Sequence, residues 1–119
     1  VARDELDRAS WQEALAAISN EHQGDDVTVE VMASDFGDQH EVEQLPFAYV
    51  EYDPHDDEAS IGVGGIDGRY PVVLRHSILH PRTIAVGSVD DEEASALEFV
   101  DPDDDVTLVT FRRRPELPA

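Results

Sequence analysis

Ser10-Trp11-Gln12-Glu13-Ala14-Leu15-Ala16-Ala17-Ile18-Ser19-Asn20-Glu21-His22-Gln23-Gly24, followed at once by Val27-Thr28-Val29-Glu30-Val31-Met32, is the stretch on which the fold turns. Its apolar period changes partway. Trp11, Ala14, Leu15 and Ile18 fall at i, i+3, i+4 and i+7, one stripe of an α-helix. Ser10 and Glu13 have the spacing of a capping box, the hydroxyl accepting from the Glu13 amide while the Glu13 carboxylate reaches back. Gly24 suits a left-handed terminator, and His22 stands where a cation favours the helix dipole. Leu6, ahead of the cap, can fold back toward the stripe. The spacing predicts a helix over Trp11–His22, too short to be stable alone and in need of a sheet to pack on. After Gly24, Val27, Val29 and Val31 alternate with Thr28, Glu30 and Met32, the pattern of a half-buried strand.

Short strands continue the chain. After a turn over residues 34–38, residues 40–45 read as a short edge strand, and residues 47–52 as a strand with aromatic positions on both faces. Asp53-Pro54-His55-Asp56-Asp57 makes a turn, and residues 58–63 return as a hairpin partner. Residues 70–79 alternate again, with Pro71 and Pro81 confining the ladder between them. A short strand over 83–86 comes next. Residues 95–100 and 106–111 then flank Asp101-Pro102-Asp103-Asp104-Asp105 as a last hairpin. Residues 112–119, with two prolines, read as a flexible tail. The expectation is an α+β fold in a single domain over 1–119. One N-terminal helix packs on an antiparallel sheet of about six to seven short strands, curled or partly barrel-like.

The charge is one-sided: 28 Asp and Glu stand against eight Arg and no Lys, for a formal net charge of -20. At ordinary ionic strength such a charge opposes the compact state by self-repulsion. In molar salt the Debye length falls to about 3 Å and the repulsion is screened. With cations that are all Arg and acids spread along the chain, the balance reads as adaptation to a halophilic, haloarchaeal cytoplasm. A disordered acidic tail would gather its charge in one block, and 40% hydrophobic residues are too many for a disordered chain. Direct nucleic-acid binding is disfavoured, since a phosphate backbone would be repelled and no basic stripe exists. With no Cys, disulfides and thiolate chemistry are excluded. No signal-peptide pattern and no membrane-length apolar run is seen, so the expected location is the cytoplasm.

The chain resembles a domain family of unknown function found in small bacterial and haloarchaeal proteins. The resemblance runs from Trp11 through Gly24 into Val27-Thr28-Val29-Glu30-Val31, and on through Phe36-Gly37-Asp38-Gln39 and Leu45-Pro46. It continues at His76-Ser77-Ile78 with Pro81 and closes on Ala96-Leu97-Glu98-Phe99 and Thr107-Leu108-Val109-Thr110-Phe111. It implies one compact unit and carries no activity or cofactor with it.

Few constellations could carry chemistry. His76 and His80 form His-x-x-x-His, a zinc spacing on a helix. Here the context is a strand, where the pair would lie about 13 Å apart. His55 stands with Asp53 and Asp56 in an oxygen-rich turn that suits a hard cation. Asp101, Asp103 and Asp105 match the start of a calcium loop, but Val106 and Arg112 stand where it needs Gly and an acid. Gly62, Gly64, Gly65 and Gly68 precede a strand, not the helix N-terminus a phosphate loop requires. Arg112-Arg113-Arg114 is the one basic cluster, and it reads as an offset to neighbouring carboxylates.

These readings lead to a non-enzymatic accessory or interaction protein with no cofactor. It is expected to pair with itself as a homodimer or with an unidentified protein, and to hold solvent cations weakly. The alternatives are a metal- or small-ligand-binding protein or enzyme using His76, His80 and nearby acids, and a nucleic-acid mimic.

Overall fold

The computed structural model describes residues 3–33, 37–64, 72–89 and 94–112. Its elements are β1 (Arg3–Glu5), a 3-10 turn (Arg8–Ser10), α1 (Trp11–His22), β2 (Asp26–Ala33), β3 (Gly37–Asp53), β4 (Glu58–Gly64), β5 (Val72–Leu79), β6 (Thr83–Val89), β7 (Ala94–Val100) and β8 (Val106–Arg112). The eight strands form one sheet in the order β1-β6-β7-β8-β2-β3-β4-β5. All neighbours are antiparallel. Two meanders, β2 to β5 and β6 to β8, are thus joined edge to edge by β8 against β2, with β1 added outside β6. The sheet is not closed. It folds back over itself, because His76 on β5 meets Thr107 on β8, four places away in the strand order.

The bend lies in β3. Its first part pairs with β2 as far as Asp26↔Pro46, and its second part pairs with β4 from Phe47↔Val63 onward. The expected strands at 40–45 and 47–52 are therefore one, running through Pro46. The missing N–H there breaks no pair. Phe47 donates to the Asp25 carbonyl on the β2 side, so position 46 faces the other way, where the β4 ladder has not yet begun. Beyond Phe47 the β2 side of β3 has no strand, and α1 takes its place. Ser19 Oγ donates to the Val50 carbonyl at 2.5 Å and accepts the Val50 N–H at 2.8 Å, satisfying both main-chain groups at once.

The helix keeps the expected bounds, and Gly24 closes it at φ +90°. Its N-terminus is built differently from the capping box. A 3-10 turn leads straight into the helix, so Ser10 is not extended, and its hydroxyl donates to the Asp7 carbonyl at 2.8 Å. The strand count exceeds the expected six to seven because β1 is three polar residues with no apolar alternation to reveal it. Arg112, the first residue of the expected tail, ends β8; the rest of that tail and most of the turn at 34–38 lie outside the described residues. So do Gly65, Gly68, Arg113 and Arg114.

Trp11 and Leu15 on α1 pack with Val27, Val29, Phe47, Val50, Ile61, Ile84, Leu97, Phe99, Val109 and Phe111 in one core, with Leu6 and Ile18 against its margin. β4 is buried on both faces. Its outer face is covered where Tyr49 lies across Gly62 and where Arg75 donates to Ser60 Oγ at 3.3 Å. Among the described residues no helix is long and apolar enough to cross a membrane.

Candidate functional site: the β5 edge and its anchored end

The sequence candidates gather at one end of the molecule without converging on one point. The two acidic hairpin turns are built alike. Each opens on Asp-Pro, and the leading carboxylate folds back on the turn. Asp53 Oδ1 accepts the His55 N–H at 2.9 Å, and Asp101 Oδ1 accepts those of Asp103 and Asp105 at 2.8 and 3.0 Å. Each turn also places an Asp in the left-handed region, Asp57 at φ 51° and Asp104 at φ 64°.

Between them runs the β5–β6 connection, His80-Pro81-Arg82, which ties both turns down. His80 is itself left-handed, at φ 53°. Its N–H donates to the Asp57 carbonyl at 2.8 Å, and its Nδ1–H donates to Asp57 Oδ2 at 3.1 Å. Arg82 is ion-paired with Asp104, and its N–H donates to the Val100 carbonyl at 2.7 Å. A third side chain arrives from the N-terminal segment. Arg8 donates to Asp57 Oδ1 at 2.9 Å and to the Pro81 carbonyl at 3.4 Å, its guanidinium lying 4.6 Å from the Trp11 ring centre.

Asp57 is the hub. The Tyr52 hydroxyl donates to its Oδ1 at 2.6 Å and does most to hold the Asp57 carboxyl below the usual carboxylate range. Partial burial opposes that shift, while His80 and Arg8 reinforce it. Tyr52 is pushed up, first by burial and then by the Asp57 carboxylate it faces.

The expected metal candidates are divided by this arrangement. His55, Asp53 and Asp56 are exposed on the β3–β4 turn. His76 is half-buried and meets Thr107 Oγ1 at 3.3 Å, while His80 is turned to Asp57. His76 and His80 do line one depression together with Asp101, Asp103 and Asp105. Among the described residues no three His, Asp or Glu side chains are grouped as a metal ion requires. The residues that sequence reasoning missed are Arg8, Tyr52 and Asp57. Arg8 and Asp57 are 49 positions apart, so no local spacing announces them; the repeated Asp-Pro opening of the two turns was the available clue.

The network anchors the end of β5, the last strand of the sheet. The inward N–H of His80 fixes the alternation, so the N–H groups of Ser77 and Leu79 point away from β4. The outer side of β5 has no strand partner among the described residues. Ser77 and Leu79 are exposed, Leu79 at 57%.

A protein-family model covers residues 2–119, almost the whole chain. The chain belongs to DUF5335, a family of unknown function. An uncharacterized protein of Aquifex aeolicus (strain VF5) is 28% identical over 118 residues, covering 99% of this chain and 97% of that one. No solved structure matches the chain significantly. The DUF5335 assignment bears out the resemblance seen in the sequence and its extent.

Proposed function

We propose that this DUF5335 protein is a non-enzymatic interaction protein of a high-salt cytoplasm, working as a homodimer paired through the outer edge of β5. The observation that carries the reading is the contrast between the two edges. β1 is three residues long and two of them are acids. β5 is eight residues long and contains no Asp or Glu, in a chain of net charge -20. Two copies repel one another over most of their surfaces, so close approach is easier along the edge strand that carries no carboxylate. A long edge with no strand partner among the described residues is a template for strand addition, and pairing would bury the exposed Leu79 side chain. The contacts of His76 and His80 hold β5 in place beforehand, so little conformational freedom is lost on docking.

Light scattering on the full chain in about 1 M KCl, where the Debye length is about 3 Å, tests this. The expected result is a dimer that Ser77→Pro converts to a monomer of unchanged circular dichroism, since proline removes only an outward donor. A wild-type chain that stays monomeric at concentrations of about 100 μM, a weak affinity for a specific dimer, overturns the reading.

A second reading is a divalent cation that draws the dispersed His76, His80, Asp101, Asp103 and Asp105 side chains together across the depression they share. Zinc titration by calorimetry decides it: saturable heat lost in His76→Ala supports a site, and featureless dilution heat removes it.

A further inference from the structure

Between the last turn of α1 and strands β1, β6, β7 and β8 lies a cleft of about 400 Å³, within the size range of small-molecule sites. Strand pairing builds its floor, with Val86 beside Leu97 and Ser95 beside Phe111. Ile18 closes it from the helix side. One wall is a fixed aromatic pair. The His22 ring stacks on Phe111 with centres 4.4 Å apart and planes 13° from parallel, and its Nδ1–H donates to Asp25 Oδ2 at 2.9 Å.

Among the described residues, the carboxylates and guanidinium groups around this apolar floor are of one sign only. Asp4 and Glu21 belong to its lining, and no arginine is among the described residues that form it. The helix supplies a third negative element. Ile18, Glu21 and His22 belong to its C-terminal end, the negative pole of the helix dipole. A hydrated inorganic cation could satisfy the rim but would leave the apolar floor uncovered. An anion would be repelled. From this complementarity we infer that the cleft binds a small organic cation, an ammonium group carrying a short alkyl chain. The ammonium sits between Asp4 and Glu21, and the chain lies over Val86, Leu97 and Phe111. This site is on the opposite part of the sheet from the β5 edge and is independent of pairing there.

The test is calorimetric titration of the full chain with n-hexylammonium chloride and, separately, potassium hexanoate, in KCl sufficient to keep it folded. Hexylammonium is expected to bind at least fivefold more tightly than hexanoate. Glu21→Gln is expected to narrow that ratio, and Ser95→Phe, which fills the floor, to weaken hexylammonium at least tenfold. Equal affinity for the two probes, no hexylammonium binding, or undiminished binding by folded Ser95→Phe overturns the inference. Should Ser95→Phe not fold, amide shifts on the wild-type chain decide. Perturbations centred on Ile18, Glu21, Val86 and Leu97 support the site, and perturbations centred elsewhere overturn it.

Discussion

Asp57 has to satisfy demands that few side chains meet together. It occupies the left-handed region, accepts from Tyr52 and Arg8 at one oxygen and from His80 at the other, and offers its carbonyl to the His80 N–H. Asn also tolerates the left-handed region and keeps an acceptor for Tyr52 and Arg8, so Asp57→Asn removes the charge together with the second oxygen, which His80 uses. The expected cost at neutral pH is about 1 kcal/mol, measured by chemical denaturation. The sign of the pH dependence follows from the carboxyl's lowered pKa. Stability drawn from the Asp57 charge is present above the ordinary carboxylate pKa and is lost as pH falls through the lowered value of the folded state. The charge-dependent part of the gap between wild type and variant should therefore hold through neutral pH and be lost in strong acid; a gap with no pH dependence would exclude a charge effect. Gly62 makes a separate demand. A Cβ at this position would lie 2.1 Å from Tyr49 Cε2, so Gly62→Ala must displace the ring that covers β4. A loss of about 1–3 kcal/mol is expected, shrinking in a Tyr49→Ala background, as a double-mutant cycle would show.

At the scale of elements, legibility followed period and punctuation. The bounds of α1 were readable because Trp11, Leu15 and Ile18 keep a strict helical spacing and Gly24 ends it. Its cap is not legible, since the spacing of Ser10 and Glu13 is silent about a preceding 3-10 turn that turns the hydroxyl toward Asp7. β3 was divided in two because proline ordinarily ends a central strand. Only the exchange of partners at Pro46 makes it harmless, and partners are not written in local sequence. The site was the least legible part, resting on contacts between Arg8, Asp57 and His80 that only the folded chain brings together. Two substitutions test the helix. Gly24→Ala meets no atom within 4 Å, so its cost is the backbone strain of φ +90° alone, about 1 kcal/mol by thermal melt. Leu15→Ala empties a fully buried position and is expected to cost about 2–5 kcal/mol.

For the whole molecule, the charge of -20 sets the conditions under which the other forces act. Raising KCl from about 0.1 M toward about 1 M shortens the Debye length from about 10 Å to about 3 Å, so the melting temperature should rise with salt. The exposed Arg82–Asp104 pair is screened by the same salt and contributes little to the balance. A melting temperature indifferent to KCl would remove self-repulsion from the account. The position of β8 has a consequence for the order of events at the ribosome. Lying between β7 and β2, it is the last of the described strands to be made and the one that joins the two meanders. A nascent chain can form the successive hairpins of β2 to β5 as they emerge, but the partner of β2, Asp26↔Arg112 included, is still untranslated. Until then β2 presents an open ladder beside Val27 and Val29, and the long loop that β8 must close makes this pairing the slow step. The interval between emergence of β5 and emergence of β8 is when the growing chain is most exposed to pairing with a neighbour.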